Sequence, residues 1–311
     1  MRWLAQTVAA DDAGRLPGCG GDAVVRHYDA PGGVRTTFYE VRARTILNRV
    51  PDSSRMPFRW TINPYRGCTH ACVYCFARPT HSHLGLGAGE DFERRIVVKV
   101  NAPELLRAQL RRPSWRGERV ALGTNTDPYQ WVEGRYRLME GIWEALIDAR
   151  NPASVLTKSP LLLRDLKLMR RLAEVAPFTA ALSIPTLDER AWRATEPHTP
   201  SPRARLEALA ELSRAGIRTE VLIAPLMPGI NDDPRQVERI AELSLAAGAE
   251  RVTGGPLHLR GELRELFGQW LRGNRPELVA RYRRLYRDGP YLPPAERRRL
   301  LAPLQRPRAP L

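Results

Sequence analysis

Short apolar runs rich in β-branched residues alternate with longer stretches of helical periodicity from Phe58 onward. The short runs predict strands because polar, Gly or Pro residues bound them, and the longer stretches predict helices. Ser201-Pro202 and Asp233-Pro234 are helix start signals, each with a capping side chain before a proline. The predicted strands are 59–63, 119–125, 154–158, 180–184, 219–224 and 251–254, and the predicted helices include 138–150, 161–173, 202–215 and 234–247.

This alternation predicts an α/β fold built on parallel strands. Strands joined by right-handed helical crossovers either close into a full or partial barrel or form an open doubly wound sheet. Both architectures place the active site at the carboxyl ends of the strands. Polar residues follow these ends at 63–68, 124–127 and 157–159, so we expect the site there.

The pattern changes on both sides of this region. Residues 1–57 carry turn signals and one extended stretch, 35–42, which predicts a small N-terminal extension. Residues 58–259 form the predicted core. Residues 260–311 are Arg-rich, with helical segments at 263–272 and 276–287 before a Pro-rich tail, and they predict a C-terminal helical cap.

Composition is typical of a globular protein. The chain has 311 residues, of which 43% are hydrophobic, enough for one large α/β domain with appendages. No apolar run approaches the roughly 18 residues that span a bilayer, and the first residues do not resemble a signal peptide. We therefore expect a cytoplasmic monomer with no membrane partner.

The chain is strongly basic, with a net charge of +15 and a pI near 10.5. A charge of this size would attract an anionic partner, and nucleic acid is the usual candidate. Almost all of the basic residues are arginines, since the lysines are only Lys99, Lys158 and Lys167. Arginine with abundant Ala, Leu, Pro and Gly is also typical of a GC-rich genome, so both explanations stay open.

Cys68, Cys72 and Cys75 lie within eight residues and have the spacing C-x-x-x-C-x-x-C. Such close spacing points to metal or redox chemistry rather than a disulfide framework. Three thiolates can hold three irons of a cubane cluster and leave the fourth iron open to a ligand. Cys19 is a spare thiol. The alternative is a structural zinc site that adds one of the nearby histidines, His70, His81 or His83.

Segment 63–78, which contains this motif, resembles the cluster loop of the radical S-adenosylmethionine (SAM) superfamily. In that family the spacing is C-x-x-x-C-x-aromatic-C, and Tyr74 supplies the aromatic residue. Segments 123–130, 157–160, 196–200 and 224–232 resemble the branch that contains spore photoproduct lyase and its DNA-repair-photolyase-like relatives. Within it, the chain is most similar to a group of actinobacterial type. The resemblance covers about residues 58–259.

The resemblance implies a partial (β/α)6 TIM-like barrel and a 4Fe-4S cluster on Cys68, Cys72 and Cys75. SAM would chelate the open iron through its amino and carboxylate groups. An external one-electron donor of flavodoxin or ferredoxin type would supply the electron that splits SAM into methionine and a 5'-deoxyadenosyl radical. The implied activity is that of a radical SAM enzyme of lyase or transferase type, and no catalytic residue beyond the cluster ligands is assigned.

The same resemblance implies which residues bind SAM. Segment 125–127 occupies the position of the ammonium-binding motif, although the Gly-Gly-Glu of other family members is missing here. Lys158 is similar to a carboxylate-binding lysine, and a flexible point charge suits that role. The full set of implied cofactor-binding residues is Tyr74, Asn125, Thr126, Asp127, Lys158, Ser183, Glu196 and Arg205.

Three functions remain open for the chain. A radical SAM enzyme that repairs or modifies nucleic acid agrees with the charge and the branch. A radical SAM enzyme acting on a protein, peptide or small metabolite agrees with the motifs alone. A zinc-binding module that binds nucleic acid without catalysis agrees with the charge and the cysteines. The resemblance implies that thymine-dimer repair needs a cysteine outside the cluster motif, which returns hydrogen to the product. The spare thiol here, Cys19, lies outside the matched core, which argues against this reaction.

Overall fold

The computed structural model describes residues 13–15, 22–30, 34–54 and 56–305, so Cys19 lies outside the described residues. The strands there are β1 (Ala13–Arg15), β2 (Asp22–Ala30), β3 (Val34–Val41), β4 (Leu47–Arg49), β5 (Trp60–Ile62), β6 (Tyr65–Arg66), β7 (Arg95–Lys99), β8 (Val120–Leu122), β9 (Ala153–Thr157), β10 (Phe178–Ser183), β11 (Thr219–Leu226) and β12 (Arg251–Pro256). The α-helices there are α1 (Glu90–Arg94), α2 (Ala102–Leu110), α3 (Glu133–Tyr136), α4 (Leu138–Asp148), α5 (Leu166–Val175), α6 (Glu189–Thr195), α7 (Pro202–Arg214), α8 (Pro234–Ala246), α9 (Glu262–Asn274), α10 (Val279–Leu285) and α11 (Pro294–Gln305). Short 3-10 helices occupy Arg78–Leu84, Pro160–Asp165 and Pro276–Leu278.

The main sheet has the strand order β12-β11-β10-β9-β8-β5-β4. The six strands from β5 to β12 in this order pair in parallel, and β4 pairs antiparallel with β5 at one edge. In the described residues the two edge strands do not pair with each other, so the sheet is not closed. All six strands predicted for the core are confirmed, and the fold agrees with a partial (β/α)6 barrel.

Helices connect the parallel strands and cover the sheet. The predicted helices correspond to α4, α5, α7 and α8, and the residues before 166 in the predicted 161–173 helix form a 3-10 turn. The hydroxyl of Ser201 accepts a hydrogen bond from the Ala204 amide (3.2 Å), and Asp233 accepts one from the Arg235 amide (2.8 Å). These contacts satisfy amides that have no partner within the helix.

The core lies between the parallel strands and these helices. Val120 and Leu122 of β8 are buried and pack in one cluster with Trp143 of α4 and Ile240 of α8. Parallel strands flanked by crossover helices are usually apolar on both faces, as β8 is here. The polar residues of the core region are therefore concentrated at the strand ends.

A second sheet of order β1-β2-β3-β7-β6 flanks the cysteine motif. The predicted extended stretch 35–42 is confirmed as part of β3, which pairs in parallel with β7. The sequence patterns did not predict β7, and β6 pairs antiparallel with it just before Cys68. The N-terminal strands are thus joined through β7 to β6, the strand that comes just before the cysteine motif. The division into segments 1–57, 58–259 and 260–311 stays a prediction.

The C-terminal region contains one more helix than expected. The predicted helices 263–272 and 276–287 overlap α9 and α10, and the Pro-rich tail contains a helix that was not predicted, α11, which begins at Pro294. Leu301 and Leu304 of α11 pack over Gly254 of β12, which has no side chain to obstruct them. None of the helices in the described part of the chain is long and apolar enough to cross a membrane.

Candidate functional site

One cavity of about 420 Å³ opens at the carboxyl ends of the parallel strands. It brings together residues that the sequence separates widely, and its position agrees with the site expected for this fold. Its wall includes all three motif cysteines and five of the implied SAM-binding residues, Tyr74, Asn125, Asp127, Lys158 and Ser183.

The three thiols of the motif share this wall, with Cys68 and Cys72 buried and Cys75 partly exposed. Burial, together with the charge of neighbouring Cys68, raises the pKa of Cys75 to about 11. The pKa of Cys72 is also raised, by burial first and then by Glu196 and the other two cysteines. Positively charged iron ions between the thiolates would offset the repulsion among the three negative charges. The residues therefore fit an iron-sulfur cluster.

The zinc alternative needs a histidine beside the three thiols. Nδ1 of His70 lies 3.3 Å from Asp127, and its ring also interacts with Cys68. Nε2 of His81 lies 2.9 Å from the backbone oxygen of Arg95 instead. Within the residues that the structure describes, no three His, Cys, Asp or Glu side chains are grouped as ligands of a single metal ion.

Hydrogen bonds from a buried arginine fix the backbone of the cysteine loop. Arg78 donates hydrogen bonds to the backbone oxygens of Cys72 (3.0 Å) and Ala71 (2.9 Å), and pairs with Glu93 at 2.5 Å. Such a cation holds several carbonyl groups at once, which fixes the course of the loop. This role of Arg78 was not predicted, and the one signal for it in the sequence is its position just after the motif.

A glutamine in the segment after β8 also holds the cysteine loop through hydrogen bonds. The amide of Thr69 donates to Oε1 of Gln130 (2.9 Å), and Nε2 of Gln130 donates to the Gly67 carbonyl (3.3 Å). Gln130 is fully buried, so these bonds replace those that its amide would make with water. This role of Gln130 was not predicted either.

Asp127 joins the cysteine loop to the end of β9. It accepts hydrogen bonds from the Thr157 hydroxyl (2.6 Å) and the Lys158 amide (2.8 Å), and pairs with His70. Burial alone would raise its pKa, but His70 and the two hydrogen bonds outweigh burial and lower the pKa to about 2. Its carboxylate is therefore already well satisfied by the protein.

The neighbours of Asp127 differ in placement. Asn125 lies on the cavity wall. Thr126 is buried, and its hydroxyl donates to the backbone oxygen of Tyr65 at 2.9 Å. Of the implied ammonium-binding segment, only Asn125 thus combines a place on the wall with a side chain that is not engaged in the bonds described above.

Lys158 is held on the cavity wall by polar neighbours. Its Nζ donates to Oγ of Ser183 (2.9 Å) and lies 3.7 Å from Oε1 of Glu196. The hydroxyl of Tyr74 donates to the same oxygen of Glu196. The ammonium group also lies 5.9 Å from the centre of the Tyr74 ring. Lys158, Ser183 and Tyr74 therefore form one connected group at the wall.

Beneath that group lies a fully buried ion pair between Glu196 and Arg205 (2.6 Å). Arg205 also donates to the Ser183 carbonyl at 2.8 Å. Burial alone would raise the pKa of Glu196, but Arg205 and Lys158 outweigh burial and lower it. Within the described residues, neither member of the pair lines the cavity, so the pair supports Lys158 and Ser183 from behind.

A family profile described as "Radical SAM superfamily" matches residues 62–243, more than half of the chain. The chain belongs to the radical SAM superfamily. The resemblance predicted from the cysteine motif is thereby confirmed, and the family implies a 4Fe-4S cluster and SAM. An uncharacterised protein of Mycobacterium tuberculosis is 48% identical in an alignment of 311 positions that covers 98% of this chain and 92% of that protein.

Two further similar proteins have names that state an activity. The Radical SAM Nalpha-GlyT isomerase of Pseudomonas phage M6 is 29% identical in an alignment of 184 positions that covers 57% of this chain and 36% of the phage protein. A structure of spore photoproduct lyase complexed with dinucleoside spore photoproduct superposes with a TM-score of 0.56 at 18% identity, over 76% of this chain and 67% of that one. The latter similarity shows a shared fold.

Proposed function

We propose that this radical SAM protein is an enzyme that binds a 4Fe-4S cluster on Cys68, Cys72 and Cys75 and SAM in the adjoining cavity. One observation carries the proposal. The three thiols and the Lys158–Ser183 pair lie on the wall of a single cavity at the carboxyl ends of the parallel strands. When bound, the two cofactors supply reductive cleavage of SAM and a 5'-deoxyadenosyl radical.

The side chains on the wall divide the binding of SAM between them. Lys158 and Ser183 offer an ammonium and a hydroxyl group 2.9 Å apart, which suits the SAM carboxylate. The amide oxygen of Asn125 is the acceptor for the SAM ammonium group. Asp127 acts as a positioning residue, because its carboxylate oxygens already hold the end of β9 and His70.

Three more implied cofactor-binding residues act through their neighbours. Thr126 ties its segment to β6 through the Tyr65 carbonyl. Glu196 and Arg205 fix the position of Lys158 and Ser183. Tyr74 lies on the wall, but its hydroxyl donates a hydrogen bond to Glu196, so its ring is the part available to SAM.

The protein around the cluster limits the access of water and tunes the cluster potential. Cys68 and Cys72 are buried, and the hydrogen bonds of Arg78 and Gln130 fix the course of the loop. Burial and nearby hydrogen bonds are what tune the potential of such centres. The electron would come from an external donor of flavodoxin or ferredoxin type, as the family resemblance implies, and the proposed enzyme is a monomer that works in the reducing cytoplasm.

The proposed substrate is a nucleic acid, which the enzyme repairs or modifies. The net charge of +15 supports this class because an anionic polymer is attracted to a basic protein over a long range. A protein, peptide or small metabolite is the alternative class. Whether the enzyme is a lyase or a transferase depends on its product, so identifying the product decides between the two.

Anaerobic reconstitution tests the cofactor chemistry. The wild-type protein should turn brown with iron and sulfide, and with dithionite and SAM it should release 5'-deoxyadenosine. Cys72→Ala should lose the release almost completely, because a cluster needs all three thiolates. Cys19→Ala, a change outside the motif, is the matched control and should keep both properties.

Two results would contradict the proposal. A colourless wild-type protein that retains one zinc ion after chelation would support the structural zinc site. A Cys72→Ala protein that still releases 5'-deoxyadenosine would show that the cluster is held elsewhere.

A further inference from the structure

Exposed apolar side chains gather at the mouth of the cavity. In the described part of the chain the exposed large hydrophobic residues are Met56 (49%), Phe76 (52%), Val175 (39%) and Tyr291 (49%). Met56 and Phe76 line the cavity, and Tyr291 lies next to a third lining residue, His258. Only Val175, at the end of α5, belongs to another surface. Such clustering marks a binding surface rather than scattered exposure.

The rings at this mouth form a continuous row. The Phe76 and His258 ring centres are 5.9 Å apart at 37°, and those of His258 and Tyr291 are 6.1 Å apart at 38°. The row runs from the residue after Cys75 to the segment before α11. It therefore connects the cluster loop to the C-terminal region.

Backbone hydrogen bonds hold the C-terminal part of the row in place. His258 and Tyr291 form an antiparallel bridge, and the Leu259 amide donates to the Pro290 carbonyl at 2.8 Å. The hydroxyl of buried Tyr286 donates to the Leu257 carbonyl at 2.8 Å. Rings fixed in advance lose little conformational entropy when a flat ligand stacks on them.

The charge beside the row is positive. The guanidinium group of exposed Arg260 lies 5.1 Å from the centre of the Tyr291 ring and donates to its hydroxyl. Burial, with Arg260 as a second cause, lowers the pKa of His258, so its ring is neutral near pH 7. Stacking rings bordered by arginine are typical of surfaces that bind unpaired nucleotides.

We propose that Phe76, His258 and Tyr291 form a stacking platform for unpaired bases of a nucleic acid, with Arg260 contacting the phosphate backbone. The inference rests on the proposed function and deepens it, because it names the form of the substrate and the residues that recognise it. The bases of a duplex stack on one another, so the reacting base must be extruded or single-stranded to reach the cavity. Its neighbours then stack on the platform.

Equilibrium binding tests the platform without relying on turnover. The reconstituted, unreduced protein with SAM is titrated against fluorescein-labelled 12-mers of single-stranded DNA and of RNA, about the length that one nucleic-acid groove accommodates. Phe76→Ala and Tyr291→Ala should each weaken binding roughly 5- to 150-fold, as expected when base stacking is lost. Tyr291→Phe keeps the ring and should restore binding.

Val175→Ala is the matched control, since it removes an equally exposed apolar side chain from another surface, and it should bind as the wild type does. The DNA and RNA arms identify which polymer is preferred. A 12-mer with abasic sites at its centre should bind the wild type more weakly, and each alanine variant, which keeps two of the three rings, should show a smaller difference between this 12-mer and the intact oligomer.

Equal affinity of all variants for the intact oligomer would overturn the platform. An acidic peptide of the same length that competes as well as the oligomer, and loses as much affinity in Tyr291→Ala, would overturn the choice of nucleic acid. Cofactor cleavage is measured separately on the wild type. Failure of that reaction would overturn the proposed function, whereas normal cleavage with unchanged binding in the variants would overturn the platform alone.

Discussion

Glu196 is the residue on which the polar wall of the site depends most. Its two carboxylate oxygens contact Tyr74, Lys158 and Arg205, and its side chain is fully buried. A buried carboxylate is stable only when it is paired and hydrogen-bonded. The geometry therefore makes Glu196 a positioning residue, since it holds Lys158 and Tyr74 at the wall without lying on the wall itself.

We expect Glu196→Gln to reduce the free energy of unfolding by about 3 kcal/mol at neutral pH, because it leaves the buried cation of Arg205 without a counter-charge. Urea denaturation of the two proteins measures this difference. Glu189→Gln is the matched control, because Glu189 forms a surface ion pair with Arg193 in which both side chains are 69% exposed. That change should cost less than about 1 kcal/mol. Equal losses would contradict a supporting role for Glu196.

The stabilisation from Glu196 should also depend on pH. Its pKa in the folded protein lies below the ordinary value of 4.5, so the carboxylate favours folding above pH 4.5. That contribution is lost as the pH falls below 4.5 toward the lowered pKa. The difference between wild type and Glu196→Gln should thus be constant from pH 6 to 7 and shrink in acid. A difference that grows in acid would show the opposite shift.

At the scale of elements, the turn after β8 brings the site together. Gly123 has a φ of +78°, and a Cβ atom there would lie 1.8 Å from the Leu156 carbonyl oxygen of neighbouring β9. A side chain at this position would push the two strand ends apart. These ends carry Asp127 and Lys158, so the close approach of the backbones determines the width of the cavity.

Gly123→Ala should be much more destabilising than Gly216→Ala. The second variant is the control, at the glycine that follows α7. Gly216 has nearly the same φ, +79°, but nothing lies within 4 Å of its Cβ position. The control therefore pays only the cost of the left-handed backbone, about 1–2 kcal/mol. Guanidinium denaturation midpoints compare the two variants. Equal midpoints would show that the strand ends can separate without loss.

At the scale of the whole molecule, the positive charge is only partly neutralised by internal pairs. Several surface arginines pair with acids on the same helix, for example Arg203 with Glu207 at 2.9 Å, and such pairs contribute little to stability. Others, including Arg260 at the mouth of the cavity, lie beside aromatic rings instead. The net charge of +15 remains available for a long-range interaction with an anion.

Binding of single-stranded DNA should weaken steeply with salt. Each phosphate contact contributes a slope of about −0.7 to the plot of log K against log salt concentration. Arg260→Gln should make the slope shallower by about one such contact, and a neutral peptide nucleic acid of the same sequence is the control ligand. A slope of zero for the wild type would mean that the arginines reflect genome composition.

The sequence by itself determined the features whose signals are local. The six parallel strands and the helices α4, α5, α7 and α8 follow from periodicity and capping residues within each segment. The spacing of Cys68, Cys72 and Cys75 indicated the family, because the ligands of one cluster lie on one loop. The helix α11 in the Pro-rich segment after α10 was not predicted, although a proline at the first position of a helix is compatible with it.

The tertiary structure alone decided which residues surround that motif. The pairing of β3 with β7 and the hydrogen bonds of Arg78 and Gln130 join positions that no local pattern relates. Tertiary packing also separated the implied SAM-binding residues into those on the wall, such as Lys158, and those behind it, such as Arg205. Periodicity reports which face of an element is buried, whereas the contacts of a buried polar group depend on which distant segment packs against it.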